Sequence, residues 1–253
     1  RLRLTRSGGS RAGWGSQIVT APAFQYRRFV DLSRTLNPEG DQHPWTRYET
    51  RTDSIVDDPE SVPAEGRWYV VTQIAMSGHA GTHVESPLHA VATGDDVAQM
   101  QVDRFFGEAV VLDLSDTPWS EPFGLKDLRA AAQAAGGIRQ GDIVFCRFDW
   151  DRRASAGAYP PYPTPEALEW LVGQGIKLLG IDSPGLEVQG NRANINHHIL
   201  FDRGIPLIES LIHLEQLESS RVYVFALPLP AQKTDAVPLR VLAFEGHETG
   251  EQT

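Results

Sequence analysis

Residues 124–150, "GLKDLRAAAQAAGGIRQGDIVFCRFDW", pass from an Ala-rich segment to a continuous apolar run within one short stretch. The first part reads as a helix, with Gly136 and Gly137 as its stop. The run Ile143-Val144-Phe145-Cys146 reads as a buried strand. A helix handing directly to a buried strand is the unit from which α/β domains are built.

The alternation continues in both directions. Upstream, residues 28–33, "RWYVVTQIAM" (67–76) and "EAVVLDLS" (108–115) read as strands. The polar stretch "RTLNPEGDQHPWTRYETRTDS" (34–54) reads as a long surface loop carrying Trp45 and Tyr48. Downstream, Thr164 is placed to cap a helix with Pro165 in its first turn and a stop at Gly173 or Gly175. "IKLLGID" follows as a strand, residues from His197 to about Gly204 as a helix, and "IPLIES", "RVYVFALPL" and "PLRVLAFE" as the remaining β segments. The chain therefore reads as one α/β domain over residues 28–253, preceded by a flexible arm over residues 1–27.

Composition narrows the function. The 253 residues carry a formal net charge of -10, which argues against nucleic acid or an anionic membrane as a partner. No apolar stretch reaches the roughly 18 residues of a membrane span, and a cytoplasmic location is the expectation. A single cysteine, Cys146, rules out an internal disulfide and a thiolate zinc site.

Three of the eight histidines lie in "GHAGTHVESPLH" (78–89), together with Glu85. Gly78, Gly81 and Pro87 disfavour a helix there, so the cluster falls on a loop at a strand exit. Imidazole and carboxylate donors suit zinc, manganese or iron. In an extended chain His83 and Glu85 point to the same side. The glycines permit positive-φ turns that bring His79 back towards them. His89 lies close enough to act on a water without ligating a metal. A partner element is expected in "NHHILFDRGIPLIES", where Glu209 sits in apolar company that a carboxylate avoids unless paired. Spacing leaves His197 and His198 as rival ligands.

Several blocks together resemble the cyclase family of metal-dependent hydrolases, which includes bacterial kynurenine formamidases, isatin hydrolases and polyketide cyclase-like proteins. "HAGTHVESPLH" is similar to the family's His-x-Gly-Thr-His-x-Asp-x-Pro-x-His, with Glu85 in place of Asp. "DLSRTL" (31–36), "GDIVFCRFDW", "GIKLLGIDSP" (175–184) and "HHILFDRGIPLIESLIHLEQL" (197–217) resemble further family blocks in the same order, with Ser210 where the family has Asn. The resemblance implies ligation by His79, His83 and Glu85, and by His197 and Glu209 where two metals bind. It also implies His89 as general acid/base, a swivelling β/β/α architecture with a mixed sheet and flanking helices, and a homodimer or homotetramer. One or two zinc or manganese ions per chain are expected, with Glu85 bearing on the number.

The expected chemistry is hydrolysis of a carbon–nitrogen bond in an aryl formamide, lactam or related cyclic amide by metal-activated water. An imidazole, with an unperturbed pKa of about 6.5, moves the proton. Trp45, Tyr48, Phe105, Trp150 and Tyr159 fall in loops expected near the site and are candidates to stack on an aromatic carbonyl substrate; plain packing is the competing role. Two other readings accompany this one: a polyketide-type cyclase that stabilises an enolate, and a non-catalytic binder of metal or small ligand.

Overall fold

The structure is a computed structural model that describes residues 24–40, 46–54, 70–153 and 158–246. In chain order the strands are β1 (Arg28–Asp31), β2 (Tyr48–Ser54), β3 (Val70–Met76), β4 (His83–Glu85), β5 (Phe106–Asp113), β6 (Pro122–Phe123) and β7 (Ile143–Arg147). They continue as β8 (Tyr162–Pro163), β9 (Leu178–Ile181), β10 (Leu207–Glu209), β11 (Arg221–Phe225), β12 (Ala236–Pro238) and β13 (Leu242–Glu245). The helices are α1 (Leu125–Ala134), α2 (Trp150–Arg153), α3 (Pro165–Gly173) and α4 (Ile195–Phe201).

Nine strands form one mixed sheet in the order β1-β13-β11-β5-β7-β9-β10-β4-β12. The centre, β5-β7-β9-β10, is parallel, and both flanks are antiparallel. Alternate residues of the central strands serve two cores. Val110, Leu112, Val144 and Cys146 face α1, α3 and α4, whereas Ala109, Val111, Ile143 and Phe145 face a second apolar cluster. That second cluster holds Val30 and Leu32 from one margin of the sheet with Val84 and Val237 from the other. Only a strongly curled sheet brings both margins onto one core. The backbone closes the curl further, because Ile212 N–H donates to Leu32 C=O and Arg34 N–H to Thr82 Oγ1.

Helix boundaries follow local chemistry. Thr164 Oγ1 accepts from Ala167 N–H and Pro165 opens α3, as the sequence indicates. The C-terminus of α1 runs into Gly136 and Gly137, both at positive φ.

The stretch 34–54 departs from the expected loop, since its last seven residues form β2 and pair with β3 in a two-stranded ribbon. Tyr48, Thr50 and Thr52 have the β-branched and aromatic character of a strand. Among the described residues the ribbon buries neither face on the core, and Val71, Ile74 and Met76 are exposed, so the apolar alternation that marks a half-buried strand is missing. Residues 24–27, within the stretch expected as an arm, pack on the outer face of the sheet. Phe24 lies 5.1 Å from Tyr223 and 5.4 Å from Phe244, centroid to centroid, and Arg27 N–H donates to Glu245 C=O. The first 23 residues lie outside the described residues. Among those described, no helix is long and apolar enough to cross a membrane.

Candidate metal centre

Strand β4 sits between β10 and β12, with His83 opposite Glu209 in one pairing and Glu85 opposite Ala236 in the other. Directly opposed residues share a face of the sheet at close range. His83 Nε2 accordingly lies 3.8 Å from Glu209 Oε2. Thr82 staples the pair of strands, donating through Oγ1 to Ser210 C=O at 2.7 Å. The loops after β9 and β10 complete the site, which places it at the carboxyl end of parallel strands, where open α/β sheets bind ligands.

The two glycines of the histidine loop act differently. Gly81 takes the left-handed conformation, φ +63°, that the sequence suggests. Gly78 is not among the positive-φ glycines; it is needed because the loop crosses β12 at contact distance. A Cβ there would stand 2.4 Å from Ala236 O. Gly78→Ala should therefore cost about 1–3 kcal/mol by displacing backbone from backbone. Thermal unfolding of the purified variant checks this, with a fall of several degrees expected; an unchanged Tm would show that the loop moves aside freely.

His79, His83, Glu85, His89, His197 and Glu209 all line one cavity of about 310 Å³. Their ring nitrogens follow a single rule. His83 Nδ1 faces Gly81 C=O at 2.9 Å, His197 Nδ1 faces Glu187 Oε2 at 2.8 Å, and His79 Nε2 and His89 Nδ1 each face Asp235 Oδ2 at 3.0 Å. Every outward nitrogen thus meets an oxygen acceptor and takes the proton. The inward nitrogens turn to Glu85: His79 Nδ1 is 3.0 Å from its Oε1, His83 Nε2 3.6 Å, His89 Nε2 3.8 Å, and His197 Nε2 3.6 Å from its Oε2.

This arrangement suits a divalent cation. Lone pairs gathered on a carboxylate repel one another unless a positive charge lies between them. His79 Nδ1 and His83 Nε2 are 3.2 Å apart, matching the roughly 3.3 Å between two nitrogens that share a tetrahedral zinc. Glu85 Oε2 is buried and has no hydrogen-bond partner among the described residues, a lone pair that a metal or its water would fill. The nitrogen–oxygen donor set accepts zinc or manganese alike.

The electrostatics agree. Burial alone would lower the pKa of His79, but hydrogen bonds and charge from Glu85 and Asp235 carry it up to about 9. Burial likewise opposes a proton on His83, and Glu85 and Glu209 overcome it to raise that pKa. Burial works against ionisation of Glu85, yet His79, His83 and His89 hold its carboxyl well below the ordinary range. Glu209 goes the other way, raised by burial and by the neighbouring charge of Glu85. The site thus favours protons where a cation would sit, and a bound metal would displace them.

His198, the rival to His197, points out of the cavity and lies 3.4 Å from Asp202 Oδ1. Tyr159 lines the same cavity as the histidines. Tyr48 and Trp150 line an adjoining chamber of about 470 Å³ that shares His79 and Ser210 with it. Phe105 does not reach either chamber. Only 1% exposed, it is buried among Val97, Val224 and Ala226, because the turn that opens β5 tucks the ring into the core. Trp45 lies outside the described residues.

Two contributors escape a reading of the sequence. Glu187 holds His197 through its ring and backbone N–H groups, and also accepts from Asn196 N–H. Its one signal is an acidic residue in a loop following a parallel strand. Asp235 has no local signal, as it lies 146 residues beyond His89. Its carboxyl is held below the ordinary range because hydrogen bonds from His89 and His79 outweigh the effect of burial.

A family model described as "Putative cyclase" matches residues 30–188. The chain belongs to the putative cyclase family. This cyclase-family chain is 30% identical to a kynurenine formamidase of Erythrobacter litoralis over 233 residues, covering 88% of the chain and 97% of that protein. Among solved structures it is similar to isatin hydrolase A from Labrenzia aggregata bound to benzyl benzoate, at 26% identity and TM-score 0.71, covering 86% of this chain and 93% of that one. Isatin hydrolase A from Ralstonia solanacearum is similar at 25% identity and the same TM-score, covering 86% of this chain and 92% of that one.

Proposed function

We propose that the chain is a divalent-metal-dependent amidohydrolase that opens the carbon–nitrogen bond of an aryl formamide or a fused lactam. The observation that carries this reading is the convergence of His79, His83 and His197 on the buried carboxylate of Glu85, with His89 Nε2 beside them. His79, His83 and Glu85 would hold one zinc or manganese, and Glu85, His197 and Glu209 a second. When bound, such an ion supplies Lewis-acid polarisation of a carbonyl and a lowered pKa for water.

The remaining work belongs to side chains. His89 takes a proton from the attacking water through Nε2 as the water oxygen bonds to the carbonyl carbon. It returns that proton to the leaving nitrogen as the C–N bond breaks. Asp235 and Glu187 hold the rings of His89 and His197 in place. Tyr48, Trp150 and Tyr159 offer aromatic faces to an aryl substrate. The relatedness to a kynurenine formamidase and to isatin hydrolases supports the same bond type. A second copy of the chain would cover the ribbon β2–β3, because a two-stranded ribbon is marginal alone in water; light scattering should return the mass of a dimer or tetramer.

The test is turnover of N-formylkynurenine and of isatin, followed by absorbance, with protein loaded with zinc or manganese. Hydrolysis of one of them, lost on chelation and restored by metal, is expected. A loaded protein that cleaves neither aryl formamides nor lactams would overturn the reading.

A further inference from the structure

We propose that Asp235 is a positioning residue that fixes the tautomer and ring orientation of His79 and His89 together, so that one carboxylate sets both a metal-facing nitrogen and the proton-accepting nitrogen. The kinetic part of this inference rests on the proposed function; the geometric part does not.

The histidine loop itself holds Asp235 in place. Ser86 donates to the Asp235 carbonyl through both its backbone N–H, at 2.8 Å, and its hydroxyl, at 3.1 Å. The next residue, Ala236, pairs with Glu85 and lies against Gly78. The backbone of Asp235 is therefore pinned from two sides by the segment whose histidines its side chain contacts. A single oxygen, Oδ2, receives both rings at 3.0 Å, and their centroids are 4.7 Å apart.

An ionised carboxylate is an acceptor only. His79 must therefore present N–H at Nε2, which in the neutral ring leaves the Nδ1 lone pair directed at Glu85 and His83. His89 must present N–H at Nδ1, which leaves the Nε2 lone pair free on the cavity side. Without Asp235, either ring is free to rotate or to move its proton to the other nitrogen. In that state His79 offers no lone pair inward and His89 no base. The half-exposed side chain of Asp235, behind the two rings, distinguishes this role from core packing.

The experiment compares Asp235→Ala and Asp235→Asn with the parent protein in three readouts. Zinc affinity by chelator competition should weaken about 10–100-fold in Asp235→Ala, as for loss of a carboxylate behind a ligating histidine. Nitrogen-15 spectra of histidine-labelled, metal-free protein at pH 8 should show His89 protonated on Nδ1 in the parent and shifted towards Nε2 in the variant. For the amide substrate, kcat should fall about 10–100-fold with KM changed less than about threefold. Asp235→Asn, which keeps an uncharged acceptor, should fall between the two, and carries the test if Asp235→Ala does not fold. Unchanged zinc affinity and an unchanged His89 tautomer in a folded variant would overturn the proposal. If the parent cleaves no aryl formamide or lactam, the proposed function fails, and the zinc and tautomer readouts still judge Asp235.

Discussion

Glu85→Gln is expected to leave the protein without bound zinc or manganese and to lower amide turnover by at least about 10³-fold, a loss of about 4 kcal/mol. Glu85 is the one side chain towards which four imidazoles turn, with Oε1 facing three rings and Oε2 facing His197. An amide keeps the shape but replaces one acceptor oxygen with a donor and removes the charge that the inward nitrogens surround. Metal content per chain and the melting shift on adding zinc check this independently of any substrate. A ligand present at 100 times its Kd stabilises by about 2.7 kcal/mol, and that shift should vanish in the variant. A variant that keeps its full metal complement would remove Glu85 from the ligand set. Glu85→Asp tests the departure from the family pattern: withdrawing the carboxylate by about 1.5 Å, one C–C bond, lengthens its reach to His197. A change in metal equivalents between the two would make residue 85 a determinant of how many ions bind.

His89→Ala should act on chemistry and not on metal. His89 Nε2 stands 3.8 Å from Glu85 Oε1, against 3.0 Å for His79, and the other nitrogen is committed to Asp235. The expected result is a fall in kcat of about 10²–10⁴-fold, the usual range for losing a general acid/base, with metal content unchanged and KM within a few-fold. Steady-state kinetics on protein of measured metal content separates the outcomes. Loss of one metal equivalent would make His89 a ligand and leave the proton transfer without a carrier.

The legible parts of this chain are those where local chemistry and burial agree. The Ala-rich segment with its double glycine became α1, the apolar run became β7, and Thr164 with Pro165 opened α3. His83 and Glu85 point the same way because β4 is extended, as alternate positions in a strand require. The illegible parts depend on partners distant in sequence. β2 carries no apolar alternation because neither face meets the core. β12 is three residues long and ends in Pro238, tolerated because it lies at the sheet edge. Asp235 and Glu187 look like ordinary loop acids until the fold sets them behind histidines. Phe105 shows the opposite error, an aromatic residue beside a loop whose ring the core claims. Ser210 takes a left-handed conformation, φ +59°, which fits the asparagine preferred there by the family, since Asn tolerates that region better than most residues.

The edge position of β12 has a consequence for biosynthesis. Asp235 follows His79 by 156 residues and His89 by 146, and it immediately precedes β12, the strand that covers β4. During synthesis the parallel centre of the sheet, complete at Glu209, is available before this contact, because domains build from the N-terminal side as the chain emerges. Until the last strands dock, β4 is a bare edge whose N–H and C=O groups invite pairing with another chain. Premature termination between residues 209 and 235 would thus yield a product with its cluster histidines present but unbraced, and with an adhesive margin in place of a finished site. A strand made after all the others of this half of the sheet closes the histidine cluster, so translation past residue 235 becomes a condition for a braced site.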